Sequence, residues 1–186
     1  MTDDEPQIIR AAADGDMKAF RRLYDRYLGQ VTRTVGRYLG PGPHVEDVVQ
    51  EAFVQLYDSL ENVSDYSTFE GWVYRVARNV AISHQRKRKA AVELVDLKTL
   101  QSPIRQWNKL AAREKVRSLY AALDCLSDEK RQALIMYEIE GHTLQEIADE
   151  TETSINTIAS RVRRGRKKLM KLIRRAALAP AAETGE

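Results

Sequence analysis

Apolar residues recur every three or four positions along nearly the whole chain and no convincing run alternates with period two, so the pattern predicts an all-α protein. The first long stripe runs from 17 to 39 through Phe20, Leu23, Tyr24, Tyr27, Val31, Val35 and Leu39. Gly40-Pro41-Gly42-Pro43 stops it, because proline cannot continue a helical hydrogen-bond ladder. Residues 45–60 give the cleanest pattern. Val45, Val48, Val49, Ala52, Phe53, Leu56, Tyr57 and Leu60 share one face, and Glu46, Asp47, Gln50, Glu51, Gln55 and Asp58 occupy the other. A polar stretch, 61–68, leads to a further helix with a stripe of Phe69, Trp72, Val73, Val76, Ala77, Val80 and Ala81. Arg75, Arg78, Asn79 and Arg86 lie off that stripe and are expected to be open to a partner.

From 90 to 107 the periodicity fades and Gln101-Ser102-Pro103 interrupts what remains, which predicts a flexible linker between two small helical domains. Helices resume near Asn108. Ser127 is placed to cap a helix with Asp128 and Glu129 in its first turn, running to Glu140 and ending at Gly141. Thr143 and Glu146 fit a capping box that opens a short helix to about Glu150, and Ser154 caps a last, long one. The short turn between these two helices, with Ala148 small enough for a close crossing, has helix-turn-helix spacing. That spacing alone is common in helical proteins. The last helix adds more, since about 100° per residue puts Ile155, Ile158, Val162, Gly165 and Leu169 on one side. The opposite side holds Asn156, Ser160, Arg163, Arg164 and Lys167, whose amide, hydroxyl and guanidinium groups suit base edges and phosphates.

Charge sharpens this picture through its distribution. The 186 residues carry 30 Lys and Arg against 27 Asp and Glu, a net charge of +3 that names no partner. Residues 38–74, however, contain no base and seven acids, whereas 71–92 contain no acid and six bases. Residues 161–175 hold nine bases and no acid, which a merely solvated face, usually mixed in sign, does not explain. One acidic and two basic faces predict more than one partner. The single cysteine, Cys125, excludes an internal disulfide and a Cys-rich zinc site, and its apolar surroundings predict a small buried side chain. His44, His84 and His142 are scattered, so no metal is expected. No apolar run is long enough to span a membrane and residues 1–6 are not signal-like, so no membrane insertion and a cytoplasmic location are expected.

Three separated motifs then resemble one family, the extracytoplasmic-function (ECF) branch of the bacterial sigma-70 factors. Glu46-Asp47-Val48-Val49-Gln50-Glu51-Ala52-Phe53 resembles its polymerase-clamp-binding helix. Phe69-Glu70-Gly71-Trp72-Val73-Tyr74-Arg75-Val76-Ala77-Arg78-Asn79 resembles its promoter-melting helix. The stretches 126–131, 140–148 and 156–166 resemble its second domain. The resemblance implies a sigma region 2-like domain over 1–89, a linker over 90–107, a sigma region 4-like helix-turn-helix domain over 108–176 and a disordered tail over 177–186. It implies a factor that binds core RNA polymerase through Glu46, Asp47, Gln50, Glu51 and Gln55, and directs promoter-specific initiation. The melted −10 strand would be held by Asp65, Tyr66, Ser67, Thr68, Trp72, Arg75, Arg78 and Asn79, although Trp72 also lies on the apolar stripe. The −35 duplex would be read by Asn156, Thr157, Ser160, Arg161, Arg163, Arg164 and Lys167. The partners implied are core polymerase, promoter DNA and an anti-sigma factor. Two departures from the family stand out: Ala159 replaces a frequent Lys or Arg, and the linker is nearly balanced in charge rather than acidic. No further domain is expected after Arg175.

Two other classes compete. A dimeric helix-turn-helix regulator would explain the last helix but not the acidic helix or the second basic face. An enzyme would need a nucleophile with its base, a metal set or a phosphate loop, and the sequence assembles none, so no catalytic residue and no cofactor are expected.

Overall fold

Asp16 opens the first long helix by accepting hydrogen bonds from the amides of Lys18 (2.8 Å) and Ala19 (3.3 Å), two donors a helix start otherwise leaves unmet. The structure is a computed structural model and describes residues 4–63, 66–93 and 112–178. The described residues form α-helices and short 3₁₀ and π turns, without strands. The helices are α1 (Glu5–Ala13), α2 (Met17–Leu39), α3 (His44–Ser59), α4 (Phe69–Glu93), α5 (Ala112–Asp124), α6 (Asp128–Leu134), α7 (Leu144–Glu150) and α8 (Ile155–Leu178). Contacts divide the chain into two compact units, 1–85 and 86–186.

In the first unit the predicted stripes face inward. Leu23, Tyr27, Val31, Val35 and Leu39 of α2 are buried, as are Val48, Val49, Ala52, Phe53 and Leu56 of α3 and Phe69, Val73, Ala77, Val80 and Ala81 of α4. Aromatic pairs cross the interfaces: Tyr24 meets Phe53 at 4.3 Å between ring centres, and Tyr27 meets Phe69 at 5.5 Å. α1 has no counterpart in the predicted elements. It packs on α2 through Ile8, Ile9 and Ala12, and Tyr27 donates a 2.6 Å hydrogen bond to the buried Glu5, whose carboxylate also pairs with Arg26 at 3.0 Å. His44 and His84, distant in sequence, stack with ring centres 5.7 Å apart.

α4 continues to Glu93, four residues into the stretch where the apolar pattern fades; the rest of the expected linker, from 94, and the tail from 179 lie outside the described residues. Within the second unit, Arg88 pairs with Asp124 at 2.6 Å and Arg86 with Asp128 at 3.1 Å, so Arg86, though exposed, already has an acidic partner. Asp124 also takes the buried guanidinium of Arg131, which lies 5.9 Å from the centre of the Tyr120 ring. α5, α6 and α7 all pack on α8. Cys125, expected inside, is exposed: its neighbours Ala122, Leu123 and Leu126 take the buried positions, and the thiol stands in the turn after α5.

The helix expected to run from 128 to 140 is not uniform. α6 ends at Leu134 and a π turn, Ile135–Ile139, carries the chain on. Gly141 then adopts φ 77°, a left-handed conformation that glycine enters without strain, and the His142 amide closes back on the Met136 carbonyl at 3.0 Å.

Candidate nucleic-acid and polymerase interfaces

The helix-turn-helix is built from local chemistry. Thr143 Oγ1 accepts from the Glu146 amide at 3.2 Å while Glu146 Oε2 accepts from the Thr143 amide at 2.7 Å, the reciprocal capping box that starts α7. These bonds, led by that from the Thr143 backbone, hold the Glu146 carboxyl below the usual carboxylate range. Ile147 and Ala148 are buried against α8. The turn between α7 and α8 passes through Glu152 at φ 51°, and Ser154 then accepts from the Thr157 amide at 3.3 Å at the start of α8.

Ile158, Val162 and Gly165 form the buried line of α8, as the helical periodicity predicts, but Ile155 is exposed because it stands in the first turn, ahead of the packed part. Gly165 marks the closest approach to α6: a Cβ there would stand 2.9 Å from Leu134 Cδ1 and 3.2 Å from its Cγ. The opposite face presents Asn156, Thr157, Arg163, Arg164 and Lys167 exposed, with Ser160 and Arg161 half-buried at its margin and Ala159 half-buried beside them. The basic block is therefore of two kinds. Arg166 is tied to Glu138, its Nε donating at 2.8 Å, and Lys168 donates to the Cys125 carbonyl at 2.6 Å. Arg163, Arg164 and Lys167 form no ion pair among the described residues.

An open cleft of about 470 Å³ runs along this face, where Asn156, Thr157, Ser160, Arg161 and Arg164 of α8 meet Ser127, Glu129 and Lys130 around the start of α6. The α6 residues escaped the sequence reading, which saw Ser127 only as a cap. Its hydroxyl makes no capping hydrogen bond to the helix amides. A hydrogen bond from the Glu129 amide, then one from Ser127, outweigh burial and hold the Glu129 carboxyl below the usual carboxylate range, with the Arg161 charge adding to the effect.

In the first unit Glu46, Asp47, Gln50 and Gln55 are exposed along one side of α3 and Glu51 is half-buried. Exposed apolar area lies beside them: Val54, which is off the predicted stripe, is 58% exposed, and Tyr57, which periodicity assigns to the core, is 38% exposed and edge-on to Phe20 at 4.9 Å. On α4, Arg75 and Asn79 are exposed and Trp72 is half-buried against Phe69, ring centres 5.3 Å apart. Ser67 and Thr68 are exposed in the 3₁₀ turn Tyr66–Thr68 that precedes α4, and Asp65 lies outside the described residues. Arg78 departs from its expected place. It is 5% exposed, with its guanidinium against the Tyr74 ring of the previous turn, on the side of α4 that also carries the buried Ala81 and Gln85.

Among the described residues no group of three or more His, Cys, Asp and Glu side chains could hold a metal ion, and no helix is long and apolar enough to cross a membrane.

Comparison with known proteins gives this geometry a family. Residues 23–91 match sigma-70 region 2 and residues 117–169 match sigma-70 region 4. The ECF RNA polymerase sigma-E factor of Escherichia coli strain K12 is 31% identical over 183 residues, covering 90% of this chain and 95% of that protein. Two solved structures share the fold at a TM-score of 0.57. One is CnrH in complex with the cytosolic domain of CnrY, 21% identical, covering 93% of this chain and 99% of that one. The other is the sigma factor RpoE of Bartonella quintana in complex with the anti-sigma factor NepR, 24% identical, covering 85% of this chain and 98% of that one. With both regions present in order and a relative aligned across nearly its whole length, the chain belongs to the extracytoplasmic-function branch of the sigma-70 family and is a sigma factor for transcription initiation.

Proposed function

We propose that this factor reads promoters at two places, the −35 element as duplex through α8 and the −10 element as melted single strand along α4, while α3 anchors it to the clamp of core RNA polymerase. The observation that carries the reading is the face of α8 on which Asn156, Thr157, Arg163, Arg164 and Lys167 are exposed, the three cations without ion pairs among the described residues. Side chains that are already neutralised, as Arg166 is by Glu138, would have to break a contact to reach DNA. Arg163 and Arg164 suit guanine edges, which accept two parallel hydrogen bonds in the major groove, and Lys167 suits phosphate.

For the −10 strand, Ser67, Thr68, Arg75 and Asn79 supply exposed polar groups at the start and along one side of α4, and Trp72 a half-buried aromatic. Stacking and charge-assisted phosphate contacts are the forces that hold unpaired nucleotides. For the polymerase, the acids Glu46 and Asp47 beside exposed Val54 and Tyr57 combine charge steering with an apolar anchor, a pairing typical of specific interfaces. The factor acts in the cytoplasm, by binding rather than by catalysis. An anti-sigma factor holds it inactive, in line with the complex in which the Bartonella quintana fold relative was solved.

The test is transcription in vitro with core polymerase on a library of genomic fragments. Start sites that appear only when the protein is added, sharing motifs near −10 and −35, are the expected result. Binding of duplex DNA as a dimer in the absence of polymerase, with no new start sites, would overturn the reading in favour of an operator-binding regulator.

A further inference from the structure

The cleft between α6 and α8 has a composition that α8 alone does not give it. Every lining side chain is polar or charged, three are cations (Lys130, Arg161, Arg164) and one is an acid, and Ser127, Thr157 and Ser160 add hydroxyl groups. A site with this inventory favours an anion rich in acceptor oxygens over an apolar ligand. Lys130 reaches it from a different helix than the other two cations. Its base lies against α8, with Cβ 3.4 Å from where a Gly165 Cβ would stand, and the half-buried residue lines the cleft.

We propose that this cleft seats one backbone phosphate of the −35 duplex, held between Lys130 of α6 and Arg161 of α8, so that α6 is part of the DNA-binding surface. The inference rests on the reading of α8 as the −35 helix and adds to it a contact from outside the helix-turn-helix. Glu129 fits the arrangement. It shares the cleft with Arg161, whose charge adds to the effects that hold its carboxyl below the usual carboxylate range. One acid among three cations also limits how tightly the cleft holds phosphate regardless of sequence. Lys130 thus contributes affinity and register, and the exposed face of α8 contributes sequence preference.

The experiment measures holoenzyme binding to promoter fragments with consensus and scrambled −35 elements across a salt series, for wild type, Lys130→Gln, Lys130→Arg, Lys167→Ala and Arg164→Ala. Each phosphate contact adds about 0.9 to the slope of log affinity against log salt. Lys130→Gln is expected to lower that slope by about that amount and weaken both fragments alike, by roughly 3–10-fold at moderate salt. Lys130→Arg should restore both, which separates lost charge from disturbed packing beside Gly165. An unchanged slope and affinity for Lys130→Gln, with Lys167→Ala still lowering the slope, would overturn the phosphate seat and leave the −35 reading standing. If Arg164→Ala also leaves the consensus preference intact and Lys167→Ala leaves the slope unchanged, the −35 reading itself fails, and the phosphate seat with it.

Discussion

The Arg78 guanidinium lies 5.6 Å from the centre of the Tyr74 ring, one helical turn away, and Arg78 is only 5% exposed. A cation held over an aromatic face away from water is worth about 2 kcal/mol. Neighbouring Asn79 is exposed on the same helix. The two residues should therefore fail differently. Arg78→Ala is expected to lower stability by about 1–3 kcal/mol, read as a fall in melting temperature. Asn79→Ala should leave melting within about 0.5 kcal/mol of wild type and reduce transcription from duplex promoters, with partial rescue on a template whose −10 region is pre-opened. Equal melting temperatures for both variants would show that Arg78 is not a structural residue.

The exposed start of α3 gives a cleaner handle on polymerase than its middle, where Glu51 is half-buried. Asp47→Arg reverses a charge in the first helical turn, at a cost to the helix of about 0.3–1 kcal/mol through its dipole. Core-polymerase affinity should fall by at least about tenfold, the 1.4 kcal/mol expected from one interface charge pair turned repulsive. Undiminished binding by a natively helical Asp47→Arg would remove this face from the interface.

Gly165 and Leu134 set how closely α8 approaches α6. Gly165→Val places branched atoms where a Cβ alone would already stand 2.9 Å from Leu134 Cδ1, and overpacking of this kind costs about 1–3 kcal/mol. Leu134→Ala opens room beneath it. Chemical denaturation of the two single variants and the double variant should show a double-variant loss smaller than the sum of the singles. Strict additivity would mean that the two side chains do not share space.

At the turn of the helix-turn-helix, Glu152 holds φ 51°, a conformation that costs a residue with a Cβ about 1 kcal/mol or more. Glu152→Gly should raise stability by about 0.5–1 kcal/mol, since glycine gives back part of the gain as unfolded-state entropy. Affinity for −35 duplex should not change. A drop in melting temperature would contradict this account of the turn.

Glu5 ties α1 to α2, and its pH dependence can be signed. Burial pushes its carboxyl up, but the Tyr27 hydroxyl and the Arg26 guanidinium together outweigh this and leave it below the usual range. A group with a depressed folded-state value stabilises the fold above its ordinary value near pH 4.3, and that stability is lost as the pH falls. Denaturation profiles between about pH 7 and pH 3 should thus fall less steeply for Glu5→Gln than for wild type. Parallel profiles would mean that Glu5 gains nothing from its partners.

The sequence by itself determined what is local. Amphipathic stripes, the Gly-Pro stop after α2, the Thr143–Glu146 capping box and the line Ile158, Val162, Gly165 depend on residues within about one turn of each other, so spacing was enough to read them. Motif order likewise sufficed to name the family. Tertiary structure alone decided which polar and apolar side chains stay in water. Arg78 lies off the apolar stripe yet is buried, Tyr57 and Ile155 lie on theirs yet are exposed, and Cys125 yields its expected place to Leu126. Arg166 looks like its neighbours along the chain but is neutralised by Glu138, 28 positions away, while Lys130 is brought to a cleft shared with Arg161. Helical period fixes the direction in which a side chain leaves its own helix; what it meets there is set by elements distant in sequence, and that decides whether a charge is paired within the protein or left in water.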